Sequence, residues 1–417
     1  MKKILYLLIL PFVLYSCDKA DKQNTTIDSS RFITIKGPDL ITPDGEKLFI
    51  KGTNLGNWLN PEGYMFGFEK ANSARFINEM FCQLVGPDRT AEFWKEFKDN
   101  YITKEDLHFI KQTGSNTVRL PFHYKLFTDE DYMGLTANQD GFARTDTLIN
   151  WCKAEGLYLI LDMHDAPGGQ TGDNIDDSYG YPWLFESEAS QKLYCDIWKK
   201  IADYYKNEPT ILGFELFNEP IAPYFDNIEE LNGKLKDLYK MGIQAIREVN
   251  QNHIILLGGA QWNGNFNPLR NVDFNDDKIM YTCHRYGGEP TPEAINDFIQ
   301  FRDSVNLPMY MGEIGHNTDE WMATFCKTME DNNIGWTFWP YKKIHNSSFV
   351  GIKEPEGWDK VKAFSEAPRG SYKEIRDARP DQEEAWKAMQ AFIENSKFKN
   401  NVIQEGYITA LGLNPDK

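Results

Sequence analysis

Two glutamates stand where carboxylates can do chemistry. Glu219 lies near the end of ILGFELFNEP at 211–220, and Glu313 near the end of PMYMGEIG at 308–315. Each run is largely apolar up to its acidic tip, the pattern of a strand buried on both faces that delivers a side chain at its C-terminal end. Pro220 biases Glu219 toward an extended backbone, so the first strand is expected to continue to the carboxylate itself. Two such acids, 94 residues apart in the chain, suit the cleavage of a glycosidic bond if they meet over one barrel mouth. One would protonate the leaving oxygen, with its pKa raised for that task, while the other stays ionised.

The elements needed to hold them can be read around these two runs. Short apolar runs recur at 48–54, 117–121, 157–163, 211–217, 254–257, 279–283, 308–312 and 334–339, and polar, glycine-rich or aromatic residues follow nearly every one. Eight strands alternating with helix-compatible stretches predict an α/β fold: a single (β/α)8 TIM barrel with its chemistry at the C-terminal strand ends. Helical spacing marks 91–113, as two helices split near Thr103, and also 190–205, 231–249 and 383–395. Residues 31–50 carry two β-rich stretches around Thr42-Pro43-Asp44-Gly45, a β-hairpin expected to cap the barrel floor. With no repeat and no second linker, 31–417 reads as one catalytic domain.

Composition narrows the possibilities. The chain has 417 residues, a formal charge of −17 and no basic cluster, so a nucleic-acid partner is not expected. Residues 1–16 have the form of an export signal: Lys2-Lys3, an apolar run from Ile4 to Leu14 too short to span a membrane, then Ser16. Leu14-Tyr15-Ser16-Cys17 resembles a bacterial lipoprotein cleavage site, which implies a lipid on Cys17, an exported protein tethered to a membrane, and a polar flexible tether over 17–30. The remaining cysteines, Cys82, Cys152, Cys195, Cys283 and Cys326, are odd in number and form no C-x-x-C pair, so free thiols are expected. His164, His284 and His316 lack H-x-x-x-H spacing, and 173–177 lacks the Gly and Glu of an EF-hand loop; no metal and no cofactor is expected.

Phe-Asn-Glu-Pro at 217–220 and Gly-Glu-Ile-Gly at 312–315 resemble the acid/base and nucleophile motifs of glycoside hydrolase family 5, cellulase family A of the retaining β-glycosidases, and the resemblance covers most of the chain after residue 31. Within the family the sequence is most similar to the fungal exo-β-1,3-glucanases. Asn54-Leu55-Gly56-Asn57-Trp58-Leu59 with Glu62 is similar to their N-L-G-G-W-L-x-x-E, and His164-Asp165-Ala166-Pro167-Gly168-Gly169-Gln170 with Asp173-Asn174 to their H-G-A-P-G-S-Q and D-N. Asn57, Asp165 and Gly169 depart from that pattern.

The resemblance implies a role for each matching position. Glu313 would be the nucleophile and Glu219 the acid, then the base. Arg119 would hydrogen-bond the nucleophile and Tyr286 would donate to it, with His284 beside the acid/base. Asn218 would donate to the sugar 2-hydroxyl, His164 would bind hydroxyls, and Trp339 would form the sugar platform, with the Trp339–Pro340 bond cis. Glu62 would grip the non-reducing end, and Asn174 would sit on a substrate-facing loop. The reaction so implied is retaining hydrolysis of a β-glucan or β-glucoside, exo-acting and β-1,3-glucanase-like, by a monomer. An endo-β-1,4-glucanase or a hydrolase of β-mannan or glycolipid is the enzymatic alternative, and a non-catalytic glycan-binding lipoprotein the alternative of another class.

Overall fold

A computed structural model describes residues 29–134 and 140–416. The expected signal peptide, Cys17 and nearly all of the tether lie outside the described residues. Eight parallel strands close into a barrel: β1 (Lys51–Asn54), β2 (Thr117–His123), β3 (Tyr158–Asp165), β4 (Ile211–Glu215), β5 (Ile254–Gly258), β6 (Ile279–His284), β7 (Met309–Ile314) and β8 (Gly335–Phe338). All eight predicted runs are barrel strands. They are apolar on both faces because one face fills the barrel and the other meets the helix ring.

The helices fall where the periodicity placed them. Thr103 separates Pro87–Asn100 from Lys104–Gln112 and forms a reciprocal capping box with Asp106, satisfying helix-end N–H groups. The other predicted helices appear as Glu188–Tyr204, Ile228–Arg247 and Gln382–Ser396. The N-terminal hairpin is larger than expected. Thr34–Lys36, Asp39–Ile41 and Lys47–Leu48 form a three-stranded antiparallel sheet, with the predicted turn at 42–45 joining its last two strands. Ile33 and Leu40 of this segment pack with Ile50, Ile160, Leu212, Ile254, Met280 and Tyr310, plugging the barrel floor.

Most of the aromatic content goes into packing. Phe66 and Phe68 meet Phe81, Trp94, Trp358 and Phe392 on three helices, Ala74–Val85, Pro87–Asn100 and Gln382–Ser396, and on a fourth, Trp358–Glu366. This cluster backs the loop that carries Glu62, so the wall beside the barrel mouth is rigidly supported. The five cysteines after Cys17 are free, with Cys152, Cys283 and Cys326 buried.

Candidate active site

The floor of the site is built around one guanidinium. Register sets Asn54 of β1 beside Arg119 of β2, and Asp162 of β3 beside Glu215 of β4. Arg119, wholly buried, donates to Glu215 through Nε (2.8 Å) and Nη2 (2.7 Å), a bidentate pair. Nη1 donates to Asn54 Oδ1 (3.0 Å) and to Glu313 Oε1 (2.7 Å), and Nη2 also reaches Asn218 Oδ1 (2.8 Å) and Asp162 (3.0 Å). Glu215, Asp162 and Glu313 thus share one cation. Burial pushes Asp162 up to about 7 against the pull of Arg119.

Glu219 and Glu313 meet above it. One carboxylate oxygen of each and a ring nitrogen of His284 all lie within 4.8 Å of one another. That proximity matches the short gap of a retaining pair, about 5–5.5 Å between carboxyl groups, rather than the ~6.5–9.5 Å of an inverting pair. Glu219 lies next to His284 Nδ1 (2.7 Å), and Glu313 Oε2 accepts from the Tyr286 hydroxyl (2.6 Å). Burial and then the charge of Glu313 hold Glu219 well above the usual carboxylate range. Burial also raises Glu313, but Arg119, His164 and the Tyr286 hydroxyl oppose it. The shared proton therefore belongs on Glu219, and Glu313 is the ionised partner. The Glu219, His284 and Glu313 trio could chelate a small cation, yet each donor already has a protein partner.

The backbone at Glu219 corrects the expectation of an extended strand end. β4 stops at Glu215, and Glu219 adopts φ 44°, followed by Ile221 at φ 60°. Left-handed backbone costs of order 1–3 kcal/mol at a non-glycine residue, most at a β-branched one. Neighbouring groups impose it. Gln170 Nε2 donates to the carbonyls of His164 and Asn218, Thr171 Oγ1 donates to the Glu219 carbonyl, and the N–H of Ile221 donates to the Gln170 carbonyl. Tertiary hydrogen bonds override the local bias of Pro220.

The pocket over the carboxylates has a volume of about 290 Å³, and Glu62, Tyr64, His164, Asn218, Trp339 and His316 are among its lining residues. Trp339 donates through Nε1 to the Tyr64 hydroxyl (2.6 Å), stacks parallel to His164, and precedes a cis bond to Pro340, as expected. His164 is placed at the site with both ring nitrogens committed: Nδ1 donates to Asp162 (2.7 Å) and Nε2 accepts from Asn218 Nδ2 (3.2 Å). It therefore orients Asn218 rather than offering a free nitrogen to a sugar hydroxyl. Asn174 stays out of the pocket lining; its Nδ2 reaches the Asn72 carbonyl at 3.5 Å, and the adjacent Ile175 faces the pocket instead.

Two of the three departures from the motif, Asn57 and Gly169, have structural reasons. Asn57 occupies a left-handed position (φ 69°), accepts from the Glu62 N–H (3.1 Å) and donates to the Tyr101 hydroxyl (3.3 Å), pinning the Glu62 loop. A Cβ at Gly169 would lie 2.3 Å from Ser178 Cβ, so a serine there is excluded. Asp165 is buried with neither oxygen hydrogen-bonded among the described residues, and burial raises its pKa well above the carboxylate range. Sequence reasoning missed Glu215, Asp162, Tyr64 and His316. Glu215 and Asp162 were detectable in principle, as charges inside otherwise apolar strands.

A (β/α)8 barrel with two close carboxylates, one held well above the ordinary carboxylate range and one paired with arginine, at the C-terminal strand ends defines a glycoside hydrolase. The family model for Cellulase (glycosyl hydrolase family 5) matches residues 78–344, and the chain belongs to that family. It is 25% identical over 356 residues to a β-xylosidase from Phanerodontia chrysosporium, covering 77% of this chain and 73% of that one. It is 28% identical over 326 residues to endoglucanase C from Acetivibrio thermocellus (63% and 90%), and 27% identical over 259 residues to a glucan 1,3-beta-glucosidase from Kluyveromyces lactis (58% and 58%).

Proposed function

We propose that this chain is an exo-acting retaining β-glucosidase or glucanase that removes glucose from the end of a β-glucan by double displacement. The observation that carries the reading is the pair within 4.8 Å at the base of a small pocket walled by Glu62 and Tyr64. Its volume of about 290 Å³ lies at the small end for ligand sites, and Glu62 on its wall is the residue that the exo-glucanase resemblance sets at the non-reducing end. Glu313 attacks the anomeric carbon as Glu219 protonates the leaving oxygen. Water, deprotonated by Glu219, then releases the sugar with retained configuration. Arg119 and Tyr286 keep Glu313 charged and aimed. Asn218, itself gripped by Arg119 and His164, has a remaining N–H for the 2-hydroxyl, Trp339 is the platform, and Glu62 meets hydroxyls of the non-reducing end.

Kinship to an endoglucanase and a β-xylosidase makes linkage and sugar the open variables. Hydrolysis of laminarin-type and cellulose-type oligosaccharides, followed by proton NMR, tests the reading. Monomeric glucose appearing first as the β-anomer is the expected result; α-anomer or mid-chain products would overturn it. We further propose that 31–417 acts as one domain in a monomer, exported and held at a membrane by a lipid on Cys17. Among the described residues no helix is long and apolar enough to cross a membrane, and metabolic labelling with a fatty acid, lost in Cys17→Ala, tests the anchor.

A further inference from the structure

The imidazole beside Glu219 is itself held by an amide that no motif marks. Asn263, fully buried, follows β5, and its Nδ2 lies 3.1 Å from His284 Nε2. Its backbone is costly: Gln261, Trp262 and Asn263 are consecutive left-handed residues, at φ 49°, 58° and 59°. β5 ends in Gly258, where a Cβ would lie 2.0 Å from Asn263 Oδ1, so the glycine leaves room for this amide. Asn263 Oδ1 is buried without a hydrogen bond among the described residues. A strained turn and a cleared space thus present one amide to one ring nitrogen.

From this geometry we infer that Asn263 is a positioning residue for the acid/base glutamate, acting through the tautomer of His284. By donating to Nε2, Asn263 makes that nitrogen an acceptor and places the ring proton on Nδ1. Nδ1–H then donates to Glu219 Oε1, and the transferable proton is confined to Oε2. Turning the amide over would reverse this. Oδ1 would accept from Nε2–H, the bare Nδ1 would face Oε1, and Glu219 would carry its proton toward the histidine instead of the substrate. The inference rests on the reading of Glu219 as acid/base.

Asn263→Asp tests it at nearly constant shape, because a carboxylate accepts from Nε2–H and enforces the reversed arrangement. Asn263→Leu removes the donor. The remaining titratable and charged groups facing Glu219 and His284 are Glu313, Arg119, Glu62, Asp162, His164 and Tyr286; Asn263→Leu leaves that set as it is, and Asn263→Asp adds one carboxylate to it. Two aryl β-glycosides of the sugar that the enzyme accepts are compared, one with a dinitrophenol leaving group that needs no proton and one with an unactivated phenol. Both variants are expected to lose kcat/KM on the phenyl glycoside at least tenfold more than on the dinitrophenyl glycoside. Asn263→Leu should also move the basic limb of the phenyl profile to higher pH, since a donor to the carboxylate is weakened. Equal losses on both substrates with an unmoved limb, in folded protein, would overturn the inference. Glu219→Ala run alongside separates the failures. If azide does not rescue it as a β-glycosyl azide, the acid/base reading falls; if azide does rescue it, the Asn263 results stand on their own.

Discussion

Replacing Glu62 by glutamine should stabilise the enzyme, increasingly so as pH rises. The Glu62 carboxyl is buried, Oε1 has no hydrogen-bond partner among the described residues, and burial followed by the charge of Glu313 pushes its pKa up to about 8 from an ordinary 4.5. Because the folded value is the higher one, the stability associated with the neutral form is full below about pH 4.5 and is lost as pH rises through about 8. At about 1.4 kcal/mol per pKa unit, the loss approaches a ceiling of about 5 kcal/mol by pH 9. Glutamine keeps the shape and an N–H donor but does not titrate, and by removing the Glu62 charge it also relieves part of the upward push on Glu219 and Asp165, a smaller effect than the loss of the Glu62 titration itself. Urea unfolding at pH 5 and pH 9 should therefore show the Glu62→Gln advantage growing by about 3–5 kcal/mol between the two. An advantage that changes by less than about 0.5 kcal/mol would mean that Glu62 is hydrated and ionised, and that the pocket is open at this end.

Three further outcomes follow from the same contacts. Arg119→Met leaves Glu215, Asp162 and Glu313 buried without their cation, so it should destabilise by about 3–5 kcal/mol in urea unfolding and abolish turnover. The pH profile of kcat/KM should be bell-shaped, its basic limb set by deprotonation of Glu219 and its acidic limb by protonation of Glu313; Glu219→Gln should lose the basic limb. Lys342→Met should cost about 3–5 kcal/mol because it strands Asp106, 2.6 Å from the ammonium in a fully buried pair, while the double change with Asp106→Leu should recover only part of that loss, because Asp106 also caps helix Lys104–Gln112 and accepts from the Tyr341 hydroxyl.

The barrel was legible because its strands are buried on both faces and end in residues of a different character. The carboxylate pair was legible for the same reason: a glutamate at the edge of an apolar run has few structural roles. The supporting contacts were not. Glu219 reads as extended from Pro220 alone, and only the grip of Gln170 and Thr171, some 50 residues earlier, turns it left-handed. Asn174 sits beside a residue that reaches the pocket, and a one-residue offset on a loop has no periodicity to reveal it. Asn263 was invisible because its meaning lies in a partner on the next strand and in the glycine that makes space for it.

The position of Glu313 as a source of the high proton affinity of Glu219 has a consequence in time. On the proposed reading, attack on the sugar converts that carboxylate into a neutral ester. With the nearby negative charge gone, the proton just given up by Glu219 is no longer drawn back as strongly, and the same side chain becomes the base that the arriving water needs. Acidity would then alternate between half-reactions without a conformational change, timed by the making and breaking of one covalent bond.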